Sequence, residues 1–362
     1  METWSKSYHA HHSPMGAHSS FTVGMFGAEG GMALEKGSPA ESAVFIGYRT
    51  ASGVMHSFPF SKEVKNEAER FSQTDASTEP KHVVFNEKDI KRSYGWATDA
   101  FETSGIKLNI YSPFFSIPDP LSASSEELML ACCPATILEI EVTNDSQEEW
   151  ELFFGHHSST PWIPHENKNG FKGAVTRSKM GFACADSDVE EFIDFGVEQA
   201  LNRDHTTPNF LLAPVAGLSC RIDSGASKKI QIILAYYIEG QATFGHVAKY
   251  WYTRYFKSID EVFQFTQNNI NKYIDISKER DEELHESDLT EAQKFILAHA
   301  TRSYYGSTEW LDDGKPLWIV NEGEYLMINT LDLTVDMLFF ELKYNPWTVR
   351  NVLEQFVDRY SY

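Results

Sequence analysis

The residue periodicity changes once along the chain, at about Gly240, and that change limits what the chain can fold into. Upstream, apolar and aromatic residues come in short segments, at 21–26, 44–48, 83–85, 106–111, 136–142, 149–154, 173–175, 218–222 and 230–236, parted by glycine, proline, Asn-Asp and serine clusters. Lys107 and Asn109, like Glu139 and Glu141, alternate with apolar neighbours. That is the period of an antiparallel strand buried on one face. Many such strands without helices between them predict a β-sandwich over 1–240 rather than an α/β sheet. The polar, proline-flanked stretch 63–80 reads as a surface loop.

Downstream the spacing is helical. Ser258-Ile-Asp-Glu261 has the form of a capping box, and Val262, Phe265, Ile270, Tyr273 and Ile274 make one apolar stripe. We expect a helical linker over 241–286, with the charged run Lys278 to Glu283 as its solvated face. A further helix starts at Asp288-Leu-Thr-Glu291, runs through His299 to Tyr304 and ends at Gly306. Thr330 and Asp332 open the next, with Leu331, Val335, Leu338, Phe339 and Leu342 at helical spacing. Pro346 behind Asn345 starts the last, with Val349, Leu353, Phe356 and Val357 inward. The apolar faces of these helices require a partner.

With 52 acidic against 31 basic residues the net charge is -21. Such a field repels phosphate backbones and anionic lipid, which argues against nucleic acid and membrane partners and is compatible with a neutral small-molecule substrate. No apolar run approaches the roughly 20 residues that span a bilayer. Met1-Glu-Thr-Trp-Ser lacks the basic and apolar regions of a secretory signal. Cys132, Cys133, Cys184 and Cys220 have the spacing of neither a disulfide framework nor a zinc site. They read as buried thiols in a reducing, cytoplasmic setting, and neither metal nor cofactor is expected.

The chemistry concentrates in Pro316-Leu-Trp-Ile-Val-Asn-Glu-Gly-Glu-Tyr325. An apolar run delivers Glu322 and Glu324 beside Asn321 and Tyr325, with Trp318 upstream. Paired acids next to flat rings suit a sugar-cleaving site, and a buried strand running into a polar turn suits the pattern as well. If the segment is extended, Glu322 and Glu324 share a face and cannot bracket one bond. Glu324 then reads as a hydroxyl ligand or an orienter of Glu322, or as structural. Asn321 is either a donor to a sugar hydroxyl or a turn former. Trp318 is a stacking platform or core, and Tyr325 is balanced in the same way. Asp332 and Asp336, at i and i+4, have a spacing that could hold a metal, but the helix dipole explains Asp332 more simply and no metal is expected.

The run Lys315-Pro-Leu-Trp-Ile-Val-Asn-Glu-Gly-Glu-Tyr325, with Leu331 to Leu342 and Asn345-Pro-Trp-Thr-Val-Arg350-Asn-Val-Leu353, resembles glycoside hydrolase family 52, the β-xylosidases. The likeness recurs in order at His11-His-Ser-Pro-Met-Gly16, Ile110-Tyr-Ser-Pro113, Pro118-Asp-Pro120, Ala298 to Gly306 and Arg359-Tyr-Ser-Tyr362. The resemblance implies a β-sandwich, a helical linker and then an (α/α)6 barrel, here with only the first barrel helices, over 287–362. It implies a retaining, exo-acting enzyme that removes terminal xylose from xylobiose and xylo-oligosaccharides, with Glu322 as nucleophile. The general acid/base it implies is an aspartate downstream that no residue here matches. A truncated, inactive chain that binds at most sugar or a partner is the alternative.

The same resemblance makes His11 and His12 part of a sandwich loop reaching toward the barrel mouth, in a substrate contact or an interface role. It places Arg302 close to the active segment, paired with a carboxylate or packing only. Full members resemble homodimers. In a chain that stops early, Phe339, Phe340, Leu353 and Phe356 are expected to form an exposed apolar patch.

Overall fold

The computed structural model describes residues 6–35, 40–62, 82–165, 169–177, 179–202, 212–239, 247–322 and 327–360. The expected boundary at 240/241 falls among residues outside this set, as do the loop 63–80, Glu324 and Tyr325.

The period-two reading becomes a ladder at Ile106–Tyr111, which pairs antiparallel with Thr98–Thr103 on one side and Ala135–Thr143 on the other. The register sets Asn109 opposite Glu139 and Lys107 opposite Glu141, so the polar residues form one row. In that row Asn109 Nδ2 donates to Glu139 Oε1 at 3.3 Å and Gln231 Nε2 donates to Glu139 Oε2 at 3.0 Å. The alternate residues Leu108, Ile110, Leu138 and Ile140 are buried.

One strand, Trp150–Pro164, links two parts of the sheet. Its first half pairs with Val44–Arg49 and Ala213–Ile222. Beyond a register shift between His157 and Trp162, its end pairs with Lys172–Thr176. Phe154, Trp162, Phe182, Leu218 and Ile232 from both parts meet in one apolar core. Among the described residues the domain is antiparallel except for Met55–Ser57 beside His82–Val84, which are parallel. An unanticipated helix, Ser125–Cys132, interrupts the strands. Its signal was Ser124 with Glu127, which form a full capping box.

After the sheet domain the chain is mainly helical: Ile259–Asn268, Ile270–Glu286, Glu291–Gly306, Leu331–Tyr344 and Pro346–Gln355. Ser258 Oγ accepts from Glu261 N, but the Glu261 carboxylate accepts from Lys257 N, so the anticipated box forms on one side only. The charged run is not wholly solvated. Asp281 turns inward, and its Oδ1 accepts the backbone N–H groups of Ala97 at 2.7 Å and Thr98 at 3.2 Å. A carboxylate that satisfies two backbone donors of the sheet domain is worth more there than in water. Among the described residues no helix is long and apolar enough to cross a membrane.

A small antiparallel sheet breaks the helical run: Thr308–Asp312 and Pro316–Glu322, paired from Thr308 opposite Val320 to Asp312 opposite Pro316, lie between Lys249–Tyr250 and Met327–Ile328. The N-terminal loop of the sheet domain is laced to this hairpin. His18 N donates to Thr308 O at 2.9 Å, Trp310 N to Gly16 O at 2.8 Å, and Gly16 N to Thr308 Oγ1 at 3.1 Å. Leu331, Val335, Phe339 and Leu342 leave an apolar stripe exposed, with Phe339 at 84% and Leu353 exposed nearby. Phe340 and Phe356 do not belong to it. Both are half-buried against the core, with Phe340 edge-on to Tyr304 at 5.3 Å between ring centres.

Candidate active site

Glu322 is the last residue of the strand Pro316–Glu322, and the packing behind that strand fixes its position. Trp310, Trp318, Trp347 and Trp251 form one aromatic cluster: Trp251 stacks on Trp310 at 5.5 Å, and Trp318 meets Trp310 at 6.3 Å and Trp347 at 6.0 Å. Each such pair adds about 0.5–1.5 kcal/mol beyond its burial. Trp318 is 0% exposed, and its Nε1 donates to Tyr304 Oη at 3.1 Å. It holds the strand from behind and offers no ring face to a sugar, so the stacking-platform role is corrected to core.

Side-chain amides complete the backbone pairing of the strand. Asn351 Oδ1 accepts from Trp318 N at 2.8 Å, Gln355 Nε2 donates to Trp318 O at 3.0 Å, and Asn329 Oδ1 accepts from Val320 N at 2.8 Å. Asn329 sits at φ +47°, a left-handed geometry that asparagine tolerates. None of these three was singled out from sequence. Asn351 lay within the matching motif, but a polar residue on a helix carries no sign of the strand it will pair with.

A cavity of about 410 Å³ opens beside the strand end. Asn321, Glu322, Thr301, Tyr304, Asp336 and Phe340 are among its walls. Thr330 Oγ1 donates to Glu322 Oε2 at 3.4 Å. Asn321 Nδ2 donates to Glu309 Oε1 at 2.8 Å and to Ser307 O at 3.2 Å. Glu309 is fully buried, and burial pushes its carboxyl up to about 8 against the lowering effect of the Asn321 hydrogen bond. Behind the cavity, Tyr304 Oη donates to Glu341 Oε1 at 2.7 Å, and burial raises the Glu341 carboxyl above its ordinary range.

The remaining sequence candidates fall elsewhere. Arg302 is buried one helical position from the cavity-lining Thr301, with Nη1 donating to Ser112 Oγ at 2.7 Å and lying 3.0 Å from His12 Nδ1, and Nη2 donating to Gly95 O at 3.1 Å. Among the described residues no ion pair joins it to a carboxylate, and it reaches Asp99 through His12, whose Nε2 lies 3.5 Å from Asp99 Oδ2. The direct pairing expected for Arg302 is therefore replaced by a chain of buried groups. Asp99 is taken instead by Arg92, through Nε at 2.9 Å and Nη2 at 2.7 Å. Burial alone would raise Asp99, but Arg92 and His12 overcome it and hold the carboxyl well below its usual range. Burial, with Arg302 nearby, pushes His12 down to about 4, so His12 is neutral at pH 7. His11 Nδ1 lies 2.8 Å from Thr22 Oγ1. Neither histidine is part of the cavity wall. Both stand where the sheet domain meets the helices.

Residues 21–362 match the family described as glycosyl hydrolase family 52. Two relatives named beta-xylosidase, both from Geobacillus stearothermophilus, are each 36% identical over 98% of this chain. The chain spans only 52% and 60% of their lengths. Among solved structures, a family GH92 α-mannosidase from Bacteroides thetaiotaomicron aligns over 86% of this chain and 43% of its own, at 9% identity and a TM-score of 0.36, too low to carry an argument. With a match that covers nearly its whole length, the chain belongs to glycosyl hydrolase family 52.

Proposed function

We propose that this chain is the nucleophile-bearing part of a retaining, exo-acting β-xylosidase that releases terminal xylose from β-1,4-linked xylo-oligosaccharides. The observation that carries the reading is the placement of Glu322 at a strand end, in the wall of a sugar-sized cavity and within a family 52 chain. Glu322 attacks the anomeric carbon and forms a glycosyl-enzyme, which water then hydrolyses. The acid that protonates the leaving oxygen must stand across the scissile bond, about 5–5.5 Å from the nucleophile in a retaining enzyme. No described residue is assigned to it. In this reading the sheet domain is a β-sandwich and the last helices begin an (α/α)6 barrel, completed by a region that corresponds to the remaining length of the relatives.

The four cysteines are free thiols in the structure, which supports a reducing, cytoplasmic setting. Assembly as a homodimer belongs to the same proposal. The net charge of -21 supports a neutral sugar rather than a nucleic acid as ligand. The exposed stripe of Leu331, Val335 and Phe339 supports a second reading, in which the chain by itself forms the pocket but does not turn over.

Two assays on the full chain test this. A 2-deoxy-2-fluoro-β-xylosyl fluoride carries a leaving group that needs no proton, so it asks only for a positioned nucleophile. Mass spectrometry should find one adduct, on the peptide containing Glu322, and Glu322→Gln should abolish it. An adduct on another carboxylate would reject Glu322 as nucleophile. Adduct formation without hydrolysis of an aryl β-D-xyloside would favour the second reading.

A further inference from the structure

The amide of Asn321 is committed on one side only. Its backbone N–H donates to Ser307 O at 2.8 Å, and Nδ2 donates to both Ser307 O and Glu309 Oε1, which accounts for every hydrogen the residue offers. A flip of the amide would set Oδ1 against the Ser307 carbonyl oxygen, two acceptors face to face. In the observed orientation Oδ1 is buried without a donor among the described residues, although Asn321 forms part of the cavity wall beside Glu322. Buried acceptors nearly always find a donor, so one without a partner on a cavity-lining residue points to a ligand's donor.

Glu309 does not line that cavity. It is 0% exposed on the neighbouring strand and lies behind Asn321. The sheet domain holds it there: Ala17 forms a backbone bridge to Glu309, and His18 Nδ1 stands 3.3 Å from Glu309 Oε1. His18 takes a left-handed backbone, φ +43°, that few residues adopt without a reason.

Resting on the xylosidase reading above, we propose that Glu309 is a positioning residue that holds the Asn321 amide so that Oδ1 accepts a hydrogen bond from a hydroxyl of the pentose bound against Glu322. Asn321 is thus an acceptor toward the sugar, not the donor its residue type first suggests, because its hydrogens are already in use. Burial keeps Glu309 protonated near neutrality. A neutral carboxyl still offers a carbonyl oxygen to Nδ2, so the arrangement persists without a buried charge. The ionisable groups that face Glu309 are His18, Glu35 and Tyr250, and Tyr250 Oη itself donates to Glu35 Oε1 at 3.3 Å.

The test has two arms, both on the full chain. The first follows the Asn321 side-chain amide by NMR in wild type, Glu309→Gln and Glu309→Ala, with no sugar present. Slow hydrogen exchange is expected in wild type and in Glu309→Gln, whose carbonyl still accepts, and exchange about tenfold or more faster in Glu309→Ala. The wild-type resonance should also report a titration near pH 8 that Glu309→Gln lacks, so the arm stands even if the alanine variant does not fold. Unchanged exchange in a folded Glu309→Ala, or a titration that survives Glu309→Gln, overturns the positioning role.

The second arm measures D-xylose affinity by calorimetric titration. Glu309→Ala and Asn321→Ala should each weaken it about tenfold, the loss of one hydrogen bond, while Glu309→Gln keeps it within about twofold. Equal affinities in all variants would overturn the acceptor role and leave the positioning result standing. A wild-type chain that does not bind xylose would instead reject the sugar reading of the cavity.

Discussion

Gly16 offers a measurement of how tightly the sheet domain is tied to the strand that carries Glu322. Its φ is +67°, and an added Cβ would lie 2.6 Å from Trp310 Cβ, 3.1 Å from Trp310 N and 3.2 Å from Trp318 Cζ3. The neighbour has little room to give. Trp310 N is already hydrogen-bonded to Gly16 O, and its ring is stacked on Trp251. Gly27 is the internal control: its φ is +72°, with nothing within 4 Å of an added Cβ. A left-handed alanine costs about 1 kcal/mol at either site, and overpacking at Gly16 adds about 1–3 kcal/mol. Effects on the unfolded chain are common to both substitutions and cancel in the comparison. Gly16→Ala should therefore lose roughly 2–4 kcal/mol and Gly27→Ala about 1 kcal/mol, read as shifts of the urea midpoint of the full chain. Backbone hydrogen exchange at Trp310 should quicken in the first variant only. If the two variants agree within about 0.5 kcal/mol, the contact between the N-terminal loop and the tryptophan cluster does not constrain the hairpin, and the account of how Glu322 is positioned fails.

Other perturbations test the buried groups at the same interface. His12 is held down at about 4 against an ordinary 6.5, so the unfolded chain binds more protons between those values and stability falls as pH drops through that window. The loss approaches roughly 3 kcal/mol for a fully buried group, and a His12→Gln chain that shows the same slope in chemical denaturation between pH 7 and 4.5 would assign it elsewhere. Arg302→Met leaves His12 Nδ1, Ser112 Oγ and the Gly95 carbonyl without their donor. A cost of about 3–5 kcal/mol is expected, and Arg302→Lys should recover under half of it, since an ammonium cannot span three acceptors as a planar fork does. Full recovery by lysine would mean that charge alone matters there. Phe339→Asp changes a residue already 84% exposed, so the urea midpoint should move by less than about 0.5 kcal/mol while binding of a hydrophobic dye falls. A loss above about 2 kcal/mol would show that the stripe is covered in solution.

Much of the sheet domain was legible because residue types alternate along its strands at period two. Glu139 and Glu141 alternate with Leu138, Ile140 and Val142, and that alternation survives into the ladder with Asn109 and Lys107. Segment ends were less legible. The strand beginning at Trp150 runs to Pro164, past His156 and His157, and the buried His156 is accommodated there because its Nε2 accepts from Met32 N at 2.9 Å. The run Lys278 to Glu283 read as solvated because all six of its residues carry charge, yet Asp281 meets two backbone N–H groups of the sheet domain. Nothing local in a charged helix announces such a distant donor.

The sequence alone determined the order of sheet and helix, the buried thiols, the start of the last helix at Pro346 and, through its motif, the emphasis on Glu322. These are properties of periodicity, covalent geometry and residue type, which neighbours in the chain express by themselves. Only the tertiary structure decided that Trp318 supports the strand from behind, that Arg302 reaches Asp99 through His12, and that Glu309 holds Asn321. A tryptophan beside a glutamate has the same sequence whether it faces a cavity or the core. A buried carboxyl acquires its partner and its protonation state from groups up to 291 positions away, as from His18 and Asn321 on either side of Glu309. Solvent exclusion by the folded whole, not the local chain, sets the strength of those contacts.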